Sequence, residues 1–275
     1  MYDDDDSAIG SRQREPVALP PYRAVLVVDA KEFGRNTDTD QAFLADMIPD
    51  VLSLAFERAG LGEVWHEALF PHNTGDGLGI GFDTRHLPAV VSRLFDTLQD
   101  VLAERDRRLR ERGREVRLRM RASLHVGPVR EQGTEGRSSV IGATVVNTHR
   151  LLDAKAVRDL LIRSDPDHTF LAVVLSQRVF DDVVASEHAT LRPSRLVPTT
   201  VHVKEFTGLV YLYAPNLSGD LLTHGIDEQL PQPEPTRDAD KSQPAQISNV
   251  IRGSTHFGTT IQVGQLRGGI HRATD

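Results

Sequence analysis

The 275-residue chain has no cysteine. That excludes disulfides, thiolate metal sites and cysteine nucleophiles, and with them a secreted disulfide scaffold. It has no run of eighteen apolar residues, the length a helix needs to cross a bilayer. It also lacks an excess of positive charge: 32 Lys and Arg stand against 39 Asp and Glu, a formal net charge of -7. A general polyanion binder gains from counterion release at a basic surface, so nucleic acid is not the expected partner. The first twenty residues carry an acidic run, Asp3 to Asp6, where an export signal would place basic residues before an apolar stretch, and the expected compartment is the cytoplasm.

What is present divides into segments. Residues 1–20 read as a disordered acidic lead-in ending at the Pro20-Pro21 pair. Residues 21–215 carry regular apolar periodicities and form the expected globular body, long enough to bury a substantial core. Residues 216–245 contain Pro231, Pro233, Pro235 and Pro244 among polar residues and read as a flexible linker with a reach of roughly 30 Å. Residues 246–275 change again, with no proline and with glycines between short β-branched pairs.

Within the body, YRAVLVVDA at 22–30 reads as a buried strand closed by an acid. Residues 39–59 follow a helical period that Pro49 should break into two helices, because proline lacks the amide donor. EVWHEALF and LGIGFD flank HNTGDG, which predicts a β-hairpin. Leu87, Val91, Leu94, Leu98 and Leu102 mark a long amphipathic helix, and EVRLRMRASLHVGPV reads as a strand. Residues 144–163 read as one helix, 169–176 as a buried strand, and 201–215 as closing strands. The expected fold is an α/β sandwich of ferredoxin-like βααββαβ order, with helices on one sheet face and the other face free for a partner.

Asp29 ends an apolar strand and Asp76 sits in the glycine-flanked turn beside it. Two carboxylates at adjoining strand ends can hold divalent cations about 3.5 to 4 Å apart, which activates an attacking oxygen and neutralises a leaving phosphate. The plainer reading makes Asp29 a helix cap and Asp76 a turn residue.

Six stretches carry a resemblance: Asp29 to Phe33, Asn73 to Gly77, Arg121 to Val129, Gly142 to Leu151, Ser176 to Phe180, and Gly208 to Tyr213. In this order and spacing they resemble class III nucleotidyl (adenylate and guanylate) cyclase domains. The resemblance implies that Asp29 and Asp76 bind two Mg2+ or Mn2+ ions, that Arg121 contacts the triphosphate, and that Arg150, eight residues after Gly142, stabilises the transferred phosphate. Guanidinium groups engage phosphate oxygens bidentately, which suits arginine to both places. The resemblance also implies a homodimer through the open sheet face and a nucleoside triphosphate as substrate, with Phe33 in the substrate-binding set. Three positions depart from the pattern. His72 replaces the base-reading lysine, Ser139 replaces its acidic partner, and Val146 stands where an asparagine should stabilise the transition state, with Asn147 adjacent. Adenine specificity is therefore unsupported, and a pyrimidine base or none is open. Losing one oriented donor costs on the order of a hundredfold in rate unless Asn147 substitutes.

In the tail, Ile261-Gln262-Val263-Gly264 resembles the core of the RHIM, the homotypic motif of necroptotic kinases and adaptors. With Asn249 and Gly253 it also resembles bacterial amyloid signalling motifs. Stacked copies would form a dry Ile261 and Val263 seam and a Gln262 ladder. A terminal hairpin is the plainer alternative. The expected protein is an intracellular cyclase coupled by a linker to a recruitment motif, with a partner carrying a similar tail. The alternative is an inactive nucleotide-sensing or dimerising domain whose output is tail assembly in bacterial defence or cell death.

Overall fold

The computed structural model describes residues 17–113, 115–132 and 139–226. The tail positions Asn249, Gly253, Ile261, Gln262, Val263 and Gly264 lie outside the described residues.

The apolar run at the start of the body forms β1 (Tyr22–Ala30). It is apolar throughout because both of its faces are covered: Ala24, Leu26 and Val28 enter one cluster, Val25 and Val27 another. Next comes α1 (Asp38–Arg58), whose Thr37 cap accepts the Asp40 N–H at 3.3 Å. Pro49 does not split it. Leu44, Ile48, Val51, Leu52, Ala55 and Phe56 are buried on one stripe of the continuous helix, and their burial, about 1.5–3 kcal/mol for each large side chain, outweighs the ~3 kcal/mol cost of an internal proline.

The expected strand at 63–70 is also corrected. Gly62–His66 form α2, in which Val64 is buried and the Trp65 ring lies 5.4 Å from that of Phe56. The spacing of Leu61, Val64 and Trp65 suits a helix face, and β2 (Leu69–Asn73) begins only afterwards. It pairs with β3 (Gly77–Phe82), completing the expected hairpin. The long helix follows as α3 (Leu87–Ala89), a π turn over Val90–Leu94, and α4 (Phe95–Arg112). Then come β4 (Met120–Pro128), a short hairpin of β5 (Arg130–Gln132) and β6 (Ser139–Ile141), α5 (Ala143–Leu152) and α6 (Lys155–Arg163). The expected single helix at 144–163 breaks at Asp153-Ala154, where Ala154 is extended. The break lets α5 lie over β1 and β4 while α6 lies over β7. The described residues close with β7 (Leu171–Ser176), α7 (Gln177–Val179), β8 (Val197–Val203), β9 (Phe206–Tyr213) and α8 (Asp220–His224).

The seven main strands make one sheet of order β2-β3-β1-β4-β7-β9-β8. β4 and β7 are the parallel neighbours, and the other pairs are antiparallel. The mixed α/β architecture and its opening βααββαβ order match the expectation. The placement of helices on one face does not. α1 and α4 pack on one face, where Leu98, Leu102 and Phe56 meet Leu26, Ile80 and Leu124. On the other face α6 buries Val157 and Leu161 against Ala172, Val174 and Val210, and Leu152 of α5 meets Val25 and Val27. What stays open is the edge at β2, where Pro71, His72 and Asn73 are exposed.

Residues 216–226, at the start of the expected linker, make contacts with the body. Leu221 of α8 is buried, the Thr169 hydroxyl donates to the Asn216 carbonyl at 2.6 Å, and Arg163 donates to Asp220 and to the Gly225 carbonyl. These contacts bind residues 216–226 to the body. No helix among the described residues is long and apolar enough to cross a membrane.

Candidate functional site

The hairpin between β2 and β3 is built by its own side chains. The Asn73 carboxamide oxygen accepts the Gly75 N–H at 2.7 Å, Gly75 takes φ +90°, and the Thr74 N–H donates to the Gly77 carbonyl at 3.0 Å. That turn places Asp76 immediately before the register pair Asp29↔Gly77, and the Ala30 N–H donates to the Asp76 carbonyl at 2.7 Å. The two aspartates therefore sit side by side at adjoining strand ends, as their positions in the sequence suggest.

The third member comes from the other neighbour of β1. Asp29 pairs in register with Arg121 on β4, and the side chains meet in a fork. Arg121 Nε donates to one Asp29 oxygen at 2.8 Å and Nη2 to the other at 2.5 Å, while Nη1 donates to the Leu152 carbonyl at 3.2 Å. The pair is largely covered, with 14% and 18% of the two side chains exposed. Arg121 thus belongs to a built site and not to a solvated basic stretch. Burial raises the Asp29 pKa above its ordinary value; Arg121 opposes that shift, and the nearby charges of Asp76 and Asp153 reinforce it. Asp76 is more open, and one of its oxygens accepts the Thr74 hydroxyl at 2.9 Å.

The donor set suits a hard divalent cation. The charge of Asp76 is near enough to act on Asp29, and the guanidinium against Asp29 occupies the place of a cation there. Among the described residues no group of three or more His, Asp or Glu side chains converges, so phosphate oxygens and water would complete the shell, as they commonly do for Mg2+.

On α5, Thr144 and Thr148 face the sheet, and Ser123 Oγ donates to the Thr148 carbonyl at 2.7 Å. Arg150 projects from the open side and forms an ion pair with Glu205, at the turn between β8 and β9. Val146 is 47% exposed on that side. Arg150 lies about 40° round the helix from Val146 and about 60° from Asn147, so both flank it one turn earlier. Ser139 opens β6. Phe33 stands in a single 3-10 turn and packs on the main core.

His72 lies some distance from the carboxylates, paired in register with Gly79. It lines a cavity of about 440 Å3 with Val25, Val27, Phe70, Val145 and His149. The Phe70 ring fits there because residue 81 is glycine, whose added Cβ would stand 1.9 Å from that ring. His149 is a residue the sequence reading missed, since nothing in the helix pattern marks it. Burial lowers its pKa, and His72 lowers it further. Glu205 was missed for the same reason: contact between a hairpin tip and α5 leaves no local signature.

His125 is held on β4 with its Nδ1 buried and unpartnered among the described residues. Burial, and then Arg178, push its pKa down to about 4. The unfolded chain binds a proton near pH 6.5 that the folded chain refuses, so stability falls as pH drops from about 6.5 toward 4. Between pH 7 and 5 this group should account for a loss of about 2 kcal/mol. In His125→Phe, denaturant midpoints should fall correspondingly less over that interval; an unchanged pH profile would refute the assignment.

A scan of protein-family models and a search of curated proteins both return no match. Solved structures do resemble the domain. A bacterial light-regulated adenylyl cyclase aligns at 15% identity and TM-score 0.50, covering 76% of this chain and 56% of that one. The adenylyl cyclase CyaB from P. aeruginosa aligns at 15% and 0.49, over 72% of this chain and 94% of that one. The guanylyl cyclase Cya2 aligns at 17% and 0.46, over 73% and 93%. At 15% identity the first likeness fixes the fold and nothing of the chemistry: the described domain has a nucleotidyl cyclase-like fold.

Proposed function

We propose that residues 21–215 act as a nucleotidyl cyclase, converting a nucleoside triphosphate to a cyclic mononucleotide and pyrophosphate at a homodimer interface. The observation that carries this reading is the convergence of Asp29, Asp76 and Arg121 at adjoining strand ends of a cyclase-like fold. Asp29 and Asp76 would hold two Mg2+ or Mn2+ ions, which when bound lower the pKa of the ribose 3'-hydroxyl and neutralise the departing pyrophosphate. Arg121 binds the triphosphate and Arg150 the charge that grows on the α-phosphate. The 3'-oxygen forms a bond to the α-phosphorus as the bond to the pyrophosphate oxygen breaks, and the hydroxyl proton passes to solvent. Asn147, beside Arg150, supplies the donor that Val146 cannot, and His72 and Ser139 belong to the substrate-binding set. A second copy covers the open part of the sheet face. The C-terminal segment recruits a protein with a similar tail in the cytoplasm, coupling the domain's state to an effector.

A domain that binds nucleotide without turnover is the second reading, favoured by the exposed Val146 in place of an oriented donor. Incubating the full chain with Mn2+ or Mg2+ and each of ATP, GTP, CTP and UTP, with mass spectrometry of the products, separates the two. The expected result is one cyclic nucleotide, reduced at least a hundredfold by Asp76→Ala. Nucleotide binding without any cyclic product would replace the enzyme by the sensor.

A further inference from the structure

Both arginines assigned to phosphates are already paired with carboxylates of their own chain, Arg121 with Asp29 and Arg150 with Glu205. The first pair is the telling one, because it joins the side chain assigned to the triphosphate to the one assigned to the cation. Resting on the reading of this site as a metal and triphosphate centre, we propose that Arg121 is the resting counterion of Asp29, so that cation and phosphate bind cooperatively through exchange of that ion pair.

The geometry sets the two uses of each group against each other. Both Asp29 oxygens accept from one planar guanidinium, at 2.8 and 2.5 Å, so a cation on that carboxylate would stand against a positive charge. The fork uses the Nε and Nη2 edge, and a phosphate takes that edge only if the carboxylate leaves it. The third nitrogen is tied to the Leu152 carbonyl, so the guanidinium cannot simply rotate and serve both. Neither group can leave alone without loss, since each would remain mostly covered and uncompensated. When phosphate arrives, Arg121 exchanges one anion for another and Asp29 is released to ligate a cation. When a cation arrives, Arg121 is released to the phosphate. Binding free energies obey reciprocity, so each ligand strengthens the other by the same factor, of the order of ten- to a hundredfold for couplings of this kind. Asp76 is outside the exchange, because among the described residues its side chain accepts from the Thr74 hydroxyl and not from Arg121.

The direct measurement is Mn2+ binding to the full chain by electron paramagnetic resonance, with no phosphate present. Arg121→Lys keeps the charge but cannot make the fork, so it should bind Mn2+ about tenfold or more tighter than the wild type. An affinity equal to the wild type would overturn the exchange. Asp76→Asn separates this outcome from failure of the site itself. If Asp76→Asn loses Mn2+ while Arg121→Lys changes nothing, the exchange is wrong and the metal site stands; if Asp76→Asn and Asp29→Asn both bind Mn2+ like the wild type, the site reading fails and the exchange with it. Should Arg121→Lys not fold, the wild type carries the test. Its Arg121 Nε–H resonance should move when inorganic triphosphate and Mg2+ are added together, and a resonance that stays in place would refute the proposal.

Discussion

Asp29→Ala should lower folding stability by about 3–5 kcal/mol, the cost of leaving one partner of a covered ion pair without its counterion. Arg121 is 14% exposed and would retain only the Leu152 carbonyl. Asp76→Ala should cost less than about 1 kcal/mol, since it removes a single bond from a partly exposed hydroxyl. Two residues with the same expected role in catalysis therefore differ widely in what their loss does to the fold. Guanidinium denaturation of both variants checks the difference. Asp29→Ala combined with Arg121→Met should regain most of the lost stability, because no uncompensated charge remains; a double variant as unstable as the single one would show that the pair is not the cause. For the same reason loss of product in Asp29→Ala is ambiguous, and Asp76→Ala is the cleaner probe of chemistry.

Gly77→Ala should remove activity at least a hundredfold and destabilise the domain by about 1–3 kcal/mol or more. A Cβ at residue 77 would stand 2.2 Å from the Val28 carbonyl oxygen and 3.0 Å from the Asp29 Cα, so β3 must move away from β1. That movement separates Asp76 from Asp29, which the Asp29↔Gly77 pair holds together. The contrast is Gly79→Ala two residues on, whose Cβ would meet the Val27 Cγ2 at an ordinary 3.5 Å. Thermal melts and product assays on the pair test the argument: an active, stable Gly77→Ala protein would mean that close approach of the strands is not what aligns the carboxylates.

Much of this site was legible before any coordinates. The apolar run closed by Asp29, the glycine-flanked Asp76 and the hairpin between them are local patterns, and local patterns survive in a linear reading because period-2 alternation and turn chemistry act over a few residues. Arg121 and Arg150 are marked by their spacing in stretches resembling a family, and each rests on a carboxylate of the folded domain. The errors share one cause. Pro49 inside α1, the helical turn at Gly62–His66 and the break at Asp153-Ala154 are each decided by packing, which repays or overrides a local preference.

The sequence by itself determined the main strands β1, β4 and β7, the hairpin that presents Asp76 and the absence of thiol chemistry, because each depends on residue type and short-range spacing. Only the tertiary structure decided that helices cover both sheet faces, that His149 joins His72 at one cavity, and that Arg121 and Arg150 rest on Asp29 and Glu205. Asp29 and Arg121 are 92 residues apart and Arg150 and Glu205 are 55. Nothing in the chain between them records the contact, because sheet register and the packing of α5 on the sheet bring them together.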